Sequence, residues 1–327
     1  MSRCPLLALL LAVGCGGSPA PSPDGGGADL APAANVYTPF SAANYQAQQI
    51  RVGLYEELAA LPKSMGFDKT RCGDPAAPTP GSLAEIYTRN DPKAGILRDK
   101  VKGRTDDHAY NKGAAIGVTM DELISRALVD CKDGKLPPAV AAQIVEKNLQ
   151  WFFYASVYHE LTLGSGGTAE SPAKWDEAFG YYGRTADGAE SRGISGTAKK
   201  RDDNFKLTLN DTIFRGFIDG RAQLAAKDGA ALARTVDKLD QNLLAVFAYS
   251  AAREFVLLPQ GPDSAVLLAE GIAFFNVLEP YLRMAAPTDA AFIRDQLKSA
   301  DYAKPTMIDH AGIVSRLEKA FGIKVTK

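Results

Sequence analysis

The chain has few of the residues that most often announce chemistry. It holds 3 histidines and 4 cysteines in 327 residues. So few imidazoles exclude a His-rich metal site, and so few cysteines exclude a disulfide-scaffold protein. An excess of either charge is also missing. Lys and Arg total 37 against 38 Asp and Glu, a formal net charge of −1. With no basic surplus, nucleic acid is not the expected partner. Apolar runs stop short of the ~18 to 20 residues that cross a bilayer, so no transmembrane helix is expected. Sustained alternation of apolar and polar residues is absent, as is any short fixed repeat. G-x-S-x-G, H-E-x-x-H, the P-loop and a strand-linked G-x-G-x-x-G are all absent, which disfavours an enzyme. What remains is 46% apolar, 23% charged and 9% aromatic residues. That composition suits a large buried core and excludes a wholly disordered chain.

Helical periodicity dominates from residue 41 onward. Ser41 to Leu61 carries Tyr45, Ile50, Leu54 and Leu58 near helical spacing, and Pro62 ends it. Residues 64–118 are richer in Gly, Pro, Asp and Lys and read as loops around a short helix near Ser82–Arg89. Thr119, with Glu122 three residues on, forms the pattern of a capping box for a helix to Cys131. Pro137 and Pro138 open a long helix to about Leu163, and Ser171-Pro172 caps a shorter one through Tyr182. Residues 183–203 read as a polar surface excursion. Helices near Thr208–Lys227, Ala230–Leu258, Pro262–Met284, Thr288–Ser299 and Thr306–Phe321 follow. The expected fold is all-α, up-and-down bundles with long loops, with possible sub-bundles at 36–183 and 204–327.

The first fifteen residues have the character of a targeting segment. Arg3 supplies a positive start, and Pro5 to Val13 form a short apolar stretch. Leu11-Ala12-Val13-Gly14-Cys15 resembles the lipobox of bacterial lipoproteins, which implies acylation of Cys15 and a membrane anchor. Residues 16–35 are almost all Gly, Pro, Ser, Ala and Asp, the composition of a flexible tether. Gly16 after the cysteine, by resemblance to the usual sorting pattern, implies the outer membrane, with the body 36–327 facing the periplasm or the surface. Once Cys4 is removed and Cys15 acylated, Cys72 and Cys131 are left in an oxidising compartment, and a disulfide between them is expected.

The informative feature is charge set within apolar helix faces. His159 lies seven residues after Phe152, and Glu160 seven after Phe153. Glu254 falls seven after Phe247, with Arg253 beside Val246, Tyr249 and Leu257 on its own face. Glu270 sits between Val266 and Phe274, and Arg215 lies inside an apolar run. An unpaired buried charge costs several kcal/mol, so such groups must find partners or bind something. Two readings stay open. In one, Arg253 or Arg215 pairs with Glu254 or Glu270 and holds helices in register. In the other, His159, Glu254 and Glu270 converge from three helices on a metal ion, with Arg253 and Arg215 balancing charge behind them. His159-Glu160 opens like a zincin motif, but Leu163 stands where the second His belongs.

The segment from Lys174 to Gly183, K-W-D-E-A-F-G-Y-Y-G, is the most distinctive text. Trp175, Phe179 and Tyr182 share one helical face, while Asp176 and Glu177 lie off it. This is the pattern of an aromatic anchor, and it places Asp176 and Glu177 as further candidate metal ligands or bases near His159.

With the lipobox, the start VYTPFSAANYQAQQIRVGLYEEL and the late AEGIAFFNVL, this block resembles the bacterial lipoprotein family catalogued as domain of unknown function 4856. That family has no firmly assigned activity. The layout is more distantly similar to the helical imelysin lipoproteins, whose G-x-H-x-x-E motif is linked to iron uptake. Here Thr162 stands three after His159, so that motif is not intact. The carboxylates and His on core faces of separate helices lead to the expectation of an anchored, non-enzymatic protein that binds a ligand or metal ion for uptake, iron foremost, with possible outer-membrane uptake partners. A scaffold that binds a protein or polysaccharide through 183–203 is the alternative, and a metal-dependent hydrolase of imelysin type is a third.

Overall fold

Four of the described α-helices start on local side-chain caps. The computed structural model describes residues 36–107 and 118–325; the expected signal segment, the Cys15 lipidation site and the tether lie outside them. Thr119 and Glu122 form the reciprocal capping box at the head of α4, Met120–Lys132. Ser82, Asp228 and Asp309 accept from main-chain amides at the starts of α2 (Leu83–Thr88), α9 (Gly229–Leu257) and α12 (His310–Phe321).

The remaining helices are α1 (Gln46–Ala60), α3 (Leu97–Asp107), α5 (Pro138–Gly164), α6 (Ser171–Tyr182), α7 (Gly193–Phe205), α8 (Leu209–Ala225), α10 (Ser264–Ala285) and α11 (Pro287–Lys298). The fold is all-α. A single two-stranded ladder, β1 (Asn90–Asp91) with β2 (Gly95–Ile96), interrupts it among the described residues.

Long helices pack lengthwise around α5. It lies against α4, α6 and α10, α9 lies against α8, α10 and α12, and α6 and α7 lie against α8. Because α5 packs on α10 and α6 on α8, the residues expected as two sub-bundles share one core. By length and composition α10 is apolar enough to cross a bilayer, contrary to the expectation that no segment is. Leu268, Phe274, Phe275, Leu278 and Leu282 bury it in the bundle, and it carries Glu279 paired with Arg294 of α11.

Two helices were not expected. Residues 97–107 and 193–205 read as loops because of their Gly, Lys and Asp content, yet both are helical. In α7 a thin apolar stripe, Ile194 and Ala198, is wholly buried, and the Glu56 carboxylate accepts from the Gly193 amide at 2.9 Å. Tertiary burial and a cap from another helix outweigh poor intrinsic propensity there.

Cys72 and Cys131 are joined, with Cα atoms 6.0 Å apart and a sequence separation of 59. The bond ties the loop before α2 to the end of α4.

The aromatic block behaves as its spacing predicts: Trp175, Phe179 and Tyr182 are each 0% exposed. Phe179 stacks on Tyr37 with ring centroids 3.8 Å apart, and Trp175 Nε1 donates to the Phe217 carbonyl at 3.1 Å. Gly180 permits the close crossing onto α1, since a Cβ there would lie 2.8 Å from Tyr45 Cβ. Gly183 ends α6 at φ 89°, against the Arg192 carbonyl.

Candidate functional site

Helices α1, α3, α5 and α6 border an open cleft of about 430 Å³. His159 lines it, with Glu160 beside it on α5 and Lys174 and Glu177 one turn apart on α6. Arg51 of α1 and Arg104 of α3 add cationic walls. Glu160, 3% exposed, accepts from Arg104 Nη2 at 2.8 Å through one oxygen. Its other oxygen stands 3.4 Å from Lys174 Nζ. The same ammonium lies 3.1 Å from Glu177 Oε1, and Gln48 Nε2 donates to Glu177 Oε2 at 3.0 Å. Gln48, Glu177, Lys174, Glu160 and Arg104 thus form a line of alternating donors and carboxylates along the cleft, joined by hydrogen bonds except between Lys174 and Glu160. There Glu160 Oε2 has an ion-pair contact but no hydrogen-bond partner among the described residues.

Electrostatics follow from that line. Burial, with the Glu160 charge nearby, pushes the Glu177 carboxyl above its ordinary range. Burial works against the Lys174 ammonium, but Glu160 and Glu177 outweigh it and hold its pKa up. Arg51 is fixed by bonds from Nε and Nη2 to the Ala94 carbonyl and from Nη1 to Tyr181 Oη. Gln48 Oε1 is buried with no hydrogen-bond partner among the described residues.

The candidates from sequence fall in three places. His159 and Glu177 share the cleft. Glu254 and Glu270 lie elsewhere, where both act on Lys147. Twelve residues of helix separate Lys147 from His159, about 18 Å along α5. Glu254, 1% exposed, is bound by Arg201 Nη1 at 3.3 Å and Arg253 Nη1 at 3.0 Å. Asp176 is consumed by structure. Oδ1 accepts from Tyr37 Oη at 2.6 Å and the Phe40 amide at 3.1 Å, and Oδ2 from the Ser41 amide at 3.0 Å and Asn44 Nδ2 at 2.9 Å. Arg215 is exposed on α8, not within a core face, and its charge acts on Asp219.

These residues do not fit a metal ion. His159, Glu254 and Glu270 do not converge, Asp176 has its oxygens filled, and in the cleft the Lys174 ammonium already lies between the two carboxylates. No group of three or more His, Cys, Asp and Glu side chains is arranged to hold a metal among the described residues.

Sequence reasoning passed over a second buried cluster. Glu146 and Lys147, adjacent on α5, are joined at 2.6 Å, and Glu146 Oε1 also accepts from Tyr55 Oη at 3.2 Å. Burial pushes Glu270 up to about 7, with Glu254 and Glu146 adding to the shift and Lys147 opposing it. The available signal was a charged pair, Glu146-Lys147, in a helix buried nearly all round. Arg104 was missed because α3 itself read as a loop.

Compared with protein-family models, curated proteins and solved structures, the chain matches none.

Proposed function

We propose that this is an extracytoplasmic lipoprotein, held to a membrane through Cys15, whose helical body binds a small polar ligand in the α1–α3–α5–α6 cleft for uptake. The reading treats it as a binding protein, not an enzyme. The lipobox-like segment and the Cys72–Cys131 disulfide, which suits an oxidising compartment, support the location. The observation that carries the binding role is the cleft itself. Lys174 sits between Glu160 and Glu177 at the wall of an open space of about 430 Å³, with the buried Gln48 Oε1 left to accept. Groups of both signs line it, with Arg51, Lys100, Arg104 and Lys174 facing Asp99, Glu160 and Glu177. That pattern complements a ligand that carries both an ammonium and a carboxylate.

Lys174 fills the cation position between these acids, so the reading favours an organic ligand over iron. A thermal-shift screen of the full chain with free amino acids and dipeptides tests it. A stabilising compound, whose effect is lost in both Lys174→Met and Glu177→Gln, is the expected result. No shift with any of these compounds, or a shift unchanged in both variants, overturns it.

A further inference from the structure

A second cavity lies between α1 and α7, over α5. It measures about 290 Å³ and opens beside Lys63, Lys199 and Lys200. Tyr55, Glu56 and Glu146 also line it, with Gly193, Gly196 and Thr197 on the α7 side. The acids facing it are largely engaged. Glu146 holds Lys147 and the Tyr55 hydroxyl, and Glu56 holds the Gly193 amide. Thr197 Oγ1 donates to Gln150 Oε1 at 2.9 Å, and Gln150 Nε2 donates to Tyr55 Oη at 2.7 Å, so the floor is a paired polar chain. The three lysines at the mouth are different. All are exposed. No carboxylate lies within 4.0 Å of any of their ammonium groups among the described residues. Asp203 is the remaining acid on the rim, and it too is exposed.

We infer that this cavity is a binding site for a phosphate group, held by the ammonium groups of Lys63, Lys199 and Lys200. Lysines act on phosphate as point charges and need no planar fork, so flexible ammonium groups lining one cavity suit it. The cavity is larger than a phosphate ion, which leaves room for a small group esterified to it. The Lys200 side chain reaches solvent but its ammonium is half-buried, and that burial, with its like-charged neighbours Lys147 and Lys63, pulls it down against the opposing charges of Glu146 and Glu56. An anion between these cations relieves that repulsion. The site is separate from the α1–α3–α5–α6 cleft and does not depend on what that cleft binds.

The test uses the full chain with Cys15→Ser, so that no acyl group confuses the result. Glycerol 3-phosphate is titrated by calorimetry, and phosphatidylglycerol vesicles are tested by co-sedimentation. Saturable binding of either probe, weakened at least tenfold in Lys63→Gln/Lys200→Gln, supports the site, provided that the variant's melting curve matches the parent's. Binding of glycerol 3-phosphate alone assigns the group to a soluble ester, and vesicle binding displaced by glycerol 3-phosphate assigns it to a lipid headgroup. The proposal is overturned if neither probe binds, or if the double variant binds as the parent does. Occupancy has an independent readout in the Lys200 Cε resonance, whose titration moves to higher pH when the phosphate is bound and stays put if the site is wrong.

Discussion

Tyr37 Oη donates to Asp176 Oδ1 at 2.6 Å, across 139 residues of sequence. With the Phe40 and Ser41 amides and Asn44 on the same carboxylate, this bond fastens the first described residues of the body to α6. Asp176 therefore serves to hold the segment that follows the expected tether. Asp176→Ala leaves four donors without their acceptor and is expected to cost roughly 3 kcal/mol or more, while Tyr37→Phe costs about 1 kcal/mol. Denaturant titration measures both. Hydrogen exchange adds a local check, since the Phe40 and Ser41 amides lose protection in Asp176→Ala before the rest of the body does.

Gly183 is the second structural requirement of the same block. At φ 89°, with a Cβ position only 2.5 Å from the Arg192 carbonyl oxygen, it admits no side chain without movement of the chain after α6. Gly183→Ala is expected to lower stability by on the order of 1 to 3 kcal/mol. A melting curve indistinguishable from the parent's contradicts this.

Glu270 sets a pH dependence. Its folded pKa, about 7, lies above the ordinary carboxylate value, so the folded state holds a proton that the unfolded chain releases. That contribution is complete below the unfolded value near ~4.3 and is lost as pH rises to about 7. Glu270→Gln, which stays neutral, is expected to stabilise the protein relative to the parent at pH 8, with a difference that shrinks towards pH 5. Paired unfolding curves at the two pH values read it. An equal difference at both removes Glu270 as the cause.

The Cys72–Cys131 bond closes a loop of about 60 residues, worth roughly 4 kcal/mol in the chain-entropy picture. Cys72→Ala/Cys131→Ala is expected to lower stability by about 2 to 5 kcal/mol. Because the bond joins the loop before α2 to α4, exchange protection should fall first in residues 69–88.

Elements with strong local signals were legible in the sequence. The Thr119–Glu122 box, the proline starts of α5 and α6 and the Trp175, Phe179, Tyr182 stripe all stand as their spacing implies. The α3 and α7 helices were hidden because contacts from other segments make them, not their own composition. The site was half legible for the same reason. His159 and Glu177 do share a cleft, but which charges meet depends on distance along α5, which a helical face alone does not encode. Seven-residue spacing put Glu254 and His159 on core faces without revealing that Lys147 and His159 lie about 18 Å apart. Arg104 became visible only once α3 was placed against α5.

The cleft bounded by Lys174 is tested most directly by calorimetric titration of the parent and Lys174→Met with whichever amino acid or dipeptide stabilises the parent most. The expected result is one binding site per chain in the parent and at least a tenfold loss of affinity in Lys174→Met, because removal of the ammonium leaves Glu160 and Glu177 facing each other. Equal affinity in the two proteins, or heat of dilution alone in the parent, contradicts the proposed role.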